Sequence, residues 1–501
     1  MKSPTAFWRG RPSFFAFFKF FEQNSIKNKV SRMKITHLSA ECYPVAKVGG
    51  LADVVGALPK YQNDAGFASE VIMPFYDNKF TKNEEFTVIF SSKLTLGKQE
   101  YSYQIKTWNN NNLGFNLYLV DVPELLFTDF VYSFDDTERF LAFQIAALNW
   151  MLTWDQKPTM VHIHDHHTGL IPFMMTQCSD YAALKNIPTV LTIHNAQYQG
   201  WFLHSKVGLI PAFNFANVGL LDWFGNINPL ASAIKCAWRV TTVSPSYMEE
   251  LKKAANGLEG LLSAESAKCV GILNGIDWEV WNPATDPYLV GNYDISTVDS
   301  GREVNKKWLC SQYNLDFEKP LFAFIGRLVG EKGADLFPET FAKALQNENI
   351  SIFLLGSGND VVEAQLIALK KDFEGTYNAF IGYDEKLAHI VYAGADFILM
   401  PSRVEPCGLN QMYALRYGAI PIVRSIGGLK DTVVDISEKG GFGICHNEVT
   451  VSEITEAIER GTMLFENSGE YKKIRKKIMG INHSWDASAL AYINLYKSLN
   501  Q

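Results

Sequence analysis

Met33-Lys-Ile-Thr-His-Leu-Ser39, then Gly49-Gly50-Leu51-Ala-Asp53-Val54-Val55-Gly-Ala-Leu58: the pairing of a short apolar run with a glycine-led amphipathic one decides the fold. Ile35 to Ser39 reads as a strand, and Leu51, Val54, Val55 and Leu58 recur at helical spacing after Gly50. The alternation continues with strand candidates at Glu70 to Met73, Leu117 to Val120, Met160 to His164, Thr189 to His194 and Val240 to Val243. A second series begins near Cys269, with Val270 to Leu273, Leu321 to Ile325, Ser351 to Leu355, Asp396 to Met400 and Ile420 to Val423. Strands separated by helical stretches predict parallel sheets covered on both faces, so the expected fold class is α/β with two doubly wound, Rossmann-like domains. Ligands of such sheets sit beyond the carboxyl ends of the strands. Chemistry is therefore sought just after each strand.

Size supports two domains, since 501 residues exceed what one core comfortably serves. Hydrophobic content of 47% and charged content of 20% describe an ordinary globular chain. The formal net charge of −7 argues against nucleic acid as the main partner. No apolar run has the roughly 20 residues needed to cross a bilayer, so no membrane partner is expected. The seven cysteines are scattered without C-x-x-C spacing, which suits a reducing, cytoplasmic setting. Residues 1–32 stand apart, with six phenylalanines from Phe14 to Phe21 among basic residues and Glu22 as the sole acid. A targeting peptide, a membrane-surface helix and an extension upstream of a start at Met33 all fit that composition, and the third is taken here.

Gly49-Gly50-Leu51-Ala52-Asp53-Val54 is echoed by Gly427-Gly428-Leu429-Lys430-Asp431-Thr432. Each glycine pair precedes an amphipathic stretch, where a tight turn and exposed N–H groups favour an approaching anion, although an ordinary loop-to-helix turn has the same look. Lys47 stands just ahead of the first pair and adds a cation. In Ile325-Gly-Arg327-Leu-Val-Gly-Glu-Lys332-Gly333, two cations follow a strand and could clamp a diphosphate without a metal. No G-x-x-x-x-G-K-[ST] pattern occurs, which removes the main support for an ATPase.

Val161-His162-Ile-His164-Asp165-His166-His167 is the most metal-like stretch. Strand alternation puts His162 and His164 on one face, with Asp165 emerging at the strand end. An H-x-H-x-D-H hydrolase pattern needs one more residue before the Asp, so no metal is expected, and the histidines read as buried and hydrogen-bonded. His194, after the next strand, is a candidate for a sugar pocket or for a structural histidine. In Met400-Pro-Ser-Arg-Val-Glu405-Pro-Cys407-Gly408-Leu-Asn410, Glu405 is held extended by the following proline and could accept sugar hydroxyls. Cys407 has no histidine beside it and reads as packing rather than as a nucleophile.

Together Lys47-Val-Gly-Gly-Leu-Ala-Asp53, His164-Asp165, Thr192-Ile-His194-Asn195, Leu273-Asn274-Gly275-Ile-Asp277, Arg327 with Lys332, Ile381-Gly-Tyr383 and Pro401-Ser-Arg-Val-Glu405-Pro-Cys407-Gly408 resemble the glycogen and starch synthases of glycosyltransferase family five. Order and spacing agree from about Met33 to the C-terminus. The resemblance implies a GT-B fold with two domains facing across a cleft, and retaining transfer of glucose from ADP-glucose to the non-reducing 4-hydroxyl of an α-1,4-glucan, with no cofactor and no metal. It also implies that Lys47, Arg327 and Lys332 meet the diphosphate, while Asp165, His194 and Glu405 hold the glucosyl unit, with the His194 carbonyl near the anomeric centre. Gly49, Gly50, Asp53, Asn274, Cys407, Gly408, Gly427 and Gly428 fall on the donor side, and Tyr383 against the adenine. The expected division is 1–32 as an extension outside the catalytic unit, 33–268 as the acceptor-side domain, 269–482 as the nucleotide-sugar domain, and 483–501 as a helix packing back on the first.

Three positions depart from the family pattern: His166 stands where tryptophan is frequent, Asn410 where threonine is frequent, and Tyr413 where many retaining GT-B transferases carry a second glutamate. The last favours the synthase branch. A binding protein that had lost catalysis would be expected to lack some of Lys47, Arg327, Lys332 and Glu405, and all are present. A phosphorylase would need a pyridoxal-phosphate lysine, which the sequence does not reveal, and a hydrolase needs paired carboxylates. Oligomeric state is not encoded in any motif.

Overall fold

A computed structural model describes residues 33–499. The extension read at 1–32 lies outside the described residues, as do the last two residues of the 483–501 segment. Backbone contacts gather the described chain into two compact units. The first holds the residues up to Val190 with Phe202–Val218 and Leu499; the second holds Leu191–Trp201 and Gly219–Ser498.

Eleven strands precede the long loop after Gly271: β1 (Lys34–Leu38), β2 (Ala68–Pro74), β3 (Phe86–Leu96), β4 (Gln99–Trp108), β5 (Asn116–Asp121), β6 (Met160–His164), β7 (Thr189–Ile193), β8 (Asp222–Trp223), β9 (Asn226–Ile227), β10 (Arg239–Thr242) and β11 (Cys269–Gly271). All but the β8–β9 ribbon form one sheet in the order β11-β10-β7-β6-β1-β2-β5-β4-β3. Its β1, β2, β5 and β6 pair in parallel, and β3 and β4 add an antiparallel margin. Alternation alone did not flag that hairpin, because β3 is exposed at most positions and only Leu94 and Leu96 are buried. The sequence reading is corrected at β11. Val270 to Leu273 was counted with the second strand series, yet Cys269 and Val270 pair in parallel with Val240 and Thr241 at the edge of the first sheet.

The second sheet runs β14 (Tyr377–Ile381), β13 (Ser351–Gly358), β12 (Leu321–Leu328), β15 (Phe397–Met400), β16 (Ile420–Arg424) and β17 (Ile444–His446), parallel throughout. Consecutive residues of its strands supply opposite faces. Phe322, Ile352, Leu354 and Phe397 join one core, and Ala323, Phe353, Leu355 and Ile398 join the other. That is why these strands read as continuous apolar runs: both faces are covered. Asp396, just before β15, is a buried electrostatic tie. Its carboxylate accepts from the Lys306 ammonium at 2.7 Å, the Leu321 N–H at 2.9 Å and the Arg475 guanidinium at 3.1 Å, with the Tyr471 hydroxyl as a further donor.

Helix Trp485–Lys497 lies beside the ends of β7 and β11. Ser488 Oγ donates to the Leu273 carbonyl at 2.5 Å, and the Tyr492 hydroxyl lies 3.5 Å from Thr192 Oγ1. Among the described residues no helix is long and apolar enough to cross a membrane.

Candidate functional site

In the first unit, polar residues gather after β1 and β6. Glu41 follows β1 and is 2% exposed. Its carboxylate accepts from the N–H groups of Val48 at 2.5 Å and Gly49 at 3.1 Å and from the Tyr132 hydroxyl at 2.5 Å. Burial pushes the Glu41 carboxyl up, and those donors partly counter the effect. The loop they pin carries Lys47, whose ammonium pairs with Asp53 at 2.7 Å on the first turn of helix Gly50–Asp64. Gly49 and Gly50 are not at positive φ, and a Cβ on either would meet nothing within 4 Å. Neither the turn nor packing inside the chain demands glycine there. Space for an approaching molecule does.

This argument makes a sharp prediction. Gly50→Ala, at the first helical position, should leave the melting midpoint unchanged or slightly raised, since alanine gains up to about 1 kcal/mol over glycine in a helix. It should nevertheless raise the donor KM. A midpoint and a KM both at wild-type values would remove Gly50 from the site.

Asp165 ends β6 at φ 55°, ψ −172°, a backbone region that residues with a Cβ seldom occupy, and its side chain is buried. Strain of this kind costs about 1–3 kcal/mol and persists where surrounding contacts impose it. Thr168 imposes it here: its Oγ1 donates to the His164 carbonyl and accepts the His164 N–H, both at 2.9 Å. His167, in the same turn, stacks on Tyr132 with centroids 4.6 Å apart, so Asp165 and Glu41 are reached through adjoining rings. His162 and His164 are buried, and His37 of β1 joins them, bringing ring nitrogens of all three within 4.8 Å. His37 Nδ1 lies 3.1 Å from His164 Nε2 and its Nε2 lies 2.9 Å from Gln62 Oε1, the hydrogen-bonded core arrangement read from the sequence. Burial lowers His37 to about 4, the Gln62 bond opposing it, which keeps the ring neutral.

In the second unit the residues converge on the turns after β12, β15 and β16. Lys332 Nζ lies 2.6 Å from Glu405 Oε2, and Ser402 Oγ donates to the same oxygen at 2.8 Å. Glu405 is buried, whereas Arg327 is largely exposed, its nearest acid Glu331 at 3.5 Å. Arg403 holds the two turns together. Its N–H donates to the Glu331 carbonyl at 2.7 Å, its guanidinium to the Gly330 carbonyl at 2.6 Å, and a two-pronged bond reaches Asp335. Asn410 donates to the Ile325 carbonyl at 2.7 Å, so this departure from the family pattern braces the strand end that carries Arg327.

Gly427 and Gly428 pack on the Glu405 turn. A Cβ on Gly427 would lie 2.0 Å from the Glu405 carbonyl oxygen, and one on Gly428 2.1 Å from that of Cys407. Their N–H groups are committed, Gly427 to the Glu250 carboxylate at 2.7 Å and Gly428 to the Glu405 carbonyl at 3.2 Å. Close approach of two backbones therefore explains this pair, and the anion expected at the helix start is Glu250. Cys407 is buried beside Asn274, whose N–H it accepts, and burial pushes its thiol up to about 12. It stays protonated near neutrality, which fits packing rather than nucleophilic attack. Gly408 takes φ +72° in the same turn. His194 is buried, and burial lowers it to about 3, so it is a neutral ring. Tyr383 is 84% exposed after β14.

Sequence reasoning missed Glu41, Tyr132, Ser402, Arg403 and Glu250. Glu41 alone carried a local signal, as a carboxylate directly after a strand. The other four act through partners distant in sequence.

Residues 34–264 match the starch synthase catalytic domain family, and residues 310–477 match glycosyl transferases group 1. A glycogen synthase of Flavobacterium johnsoniae is 49% identical over 472 residues, covering 94% of this chain and all of that protein. One from Streptococcus sanguinis is 37% identical over 479 residues, covering 93% of this chain and all of the relative. Among solved structures, the catalytic domain of starch synthase IV from Arabidopsis thaliana, bound to ADP and acarbose, superposes with a TM-score of 0.85 at 30% identity, covering 94% of this chain and 100% of that one.

Proposed function

Because the chain belongs to the glycogen and starch synthase family, we propose that it transfers glucose from ADP-glucose to the non-reducing 4-hydroxyl of an α-1,4-glucan, with retention and release of ADP. The bond that breaks joins the anomeric carbon to a diphosphate oxygen; the bond that forms joins that carbon to the acceptor oxygen, whose proton leaves with the ADP. The observation that carries the reading is the buried Lys332–Glu405 pair with exposed Arg327 nearby in sequence. A departing diphosphate gains negative charge as the sugar bond lengthens, and a held lysine and an uncommitted guanidinium stabilise that change more than they stabilise the intact donor. Glu405 fixes the lysine and offers its second oxygen to sugar hydroxyls.

Lys47 adds a third cation, and Asp165 and His194 take the glucosyl hydroxyls, the His194 carbonyl lying near the anomeric centre. Asp53, Asn274 and Cys407 border the donor, and Tyr383 faces the adenine. The cations do the work that a divalent ion does elsewhere, so the reaction proceeds without metal. ADP fits as the leaving group because the Arabidopsis starch synthase structure holds it. The seven free thiols suit a cytoplasmic setting.

Purified protein given labelled ADP-glucose or UDP-glucose with glycogen, with and without a chelator, tests this directly. Label should enter the glucan from ADP-glucose, be undiminished by the chelator, and be released by an α-1,4-specific exo-amylase. No incorporation from either donor would end the proposal.

A further inference from the structure

The first unit has a cavity of about 430 Å³ less than twice over: about 740 Å³, opening beside the Glu41-pinned loop and lying outside the turns that carry the expected donor residues apart from Lys47. Its walls are the 44–48 loop, helix Lys79–Asn83 with Glu84, and the 129–132 segment. That volume falls in the range of ordinary small-molecule sites. We propose that this cavity is a subsite for the acceptor, taking glucosyl units of an α-1,4-glucan chain behind its reacting end; the assignment rests on the synthase reading above.

Three features select a neutral sugar chain over other ligands. First, the charges on the walls balance, Lys47 and Lys79 against Glu84 and Asp129, and Lys47 is already paired with Asp53. A second nucleotide or a polycation would find no net field there, whereas hydroxyl groups can bond to either sign. Second, the cavity has an aromatic platform. Phe130 is 44% exposed yet rigidly held, because the Arg139 guanidinium lies 4.8 Å from its ring centroid and donates to the carbonyls of Leu125, Phe130 and Val131. A sugar presents an apolar C–H face that stacks on such a ring while its hydroxyls turn to polar neighbours. Third, Tyr132 forms part of the wall and also donates to Glu41, so the cavity is continuous with the polar cluster after β1. A chain whose end reacts there would run into the cavity.

Asn83 closes the helix that lines the opposite wall, is exposed, and offers an amide suited to paired sugar hydroxyls. Phe134, fully exposed and not part of the lining, provides a control.

The test compares wild-type protein with Phe130→Ala, Phe130→Tyr, Asn83→Ala and Phe134→Ala. Initial rates are measured on maltose, maltoheptaose and glycogen at saturating ADP-glucose, and then against ADP-glucose at saturating glycogen. Loss of one stacked ring is expected to raise the KM for maltoheptaose and glycogen roughly five- to tenfold in Phe130→Ala. Asn83→Ala, which removes no structural bond, should raise the same KM by a smaller factor. The KM for ADP-glucose and the rate on maltose should hold, Phe130→Tyr should restore wild-type values, and Phe134→Ala should change nothing. An unchanged KM for the long acceptors in both Phe130→Ala and Asn83→Ala, or an equal loss on maltose, overturns the subsite while leaving the synthase reading intact. Failure of the wild-type protein to elongate any acceptor overturns the reading on which it rests.

Discussion

Lys332→Ala is expected to lower kcat by about a hundred- to a thousand-fold, the range found when one donor aimed at developing charge is removed from a preorganised site. That corresponds to roughly 3–4 kcal/mol of transition-state stabilisation. Lys332 does two things at once. Its ammonium is available to the departing diphosphate, and at 2.6 Å it neutralises the buried Glu405 carboxylate, which otherwise keeps only Ser402 as a donor. The alanine variant therefore leaves an unpaired buried acid facing an anionic leaving group, which worsens the transition state twice over. Glu405→Gln removes the stranded charge. If the pair acts as a unit, the double variant should be less impaired than the product of the two single losses, with a coupling of about 0.5–3 kcal/mol. Steady-state rates with ADP-glucose and glycogen give kcat and KM for the four proteins, and thermal melts show whether the fold is kept. Turnover of Lys332→Ala within threefold of wild type would take the residue out of the mechanism.

Much of this site could be read before any coordinates, for a physical reason that also marks where reading stopped. In parallel α/β sheets the functional groups follow directly on strand ends, so Asp165 after β6, Arg327 at the end of β12 and Glu405 after β15 announce themselves by adjacency to an apolar run. The strands are legible because each is buried on two faces. β3 and β4 are not, and the hairpin escaped notice. β11 was visible as a strand, but its partner was not: a three-residue run carries no record of whether it hydrogen-bonds to β10 or to β12. The same limit hid Arg403, whose two-pronged bond to Asp335 spans 68 residues, and Glu250, which caps Gly427 from 177 residues away. It also led to a right residue with a wrong reason at Gly427 and Gly428. Glycine is needed there because two carbonyls lie about 2 Å from where a Cβ would stand, a fact about neighbours rather than about the turn.

Asp396→Asn is expected to cost about 3–5 kcal/mol of stability at neutral pH, the range for breaking a buried ion pair and stranding the partner charge. Burial alone would push the Asp396 carboxyl up. The nearby Lys306 and Arg475 charges, with hydrogen bonds from Lys306 and Tyr471, outweigh that and hold it below the ordinary carboxylate range. The amide keeps the shape and can still bond to one donor, but leaves both cations uncompensated among side chains that are each about a tenth exposed or less. The pH dependence follows from the direction of the shift. A carboxyl whose folded value is depressed contributes fully above its unfolded value, near 4, and loses that contribution as pH falls through the lower folded value. The gap in denaturation midpoint between wild type and Asp396→Asn should therefore be constant from about pH 8 to pH 5 and narrow below about pH 4, as the wild-type carboxylate takes up its proton. The unit that melts should be the second, because Lys306, Asp396, Tyr471 and Arg475 all belong to it. Hydrogen exchange read by peptide should show early opening of β12 and β15, which Asp396 joins through the Leu321 N–H, while peptides of β1 and β2 keep their protection. A gap that persists undiminished at pH 3, or matched midpoints at pH 7, would show that the tie contributes packing but not charge stabilisation.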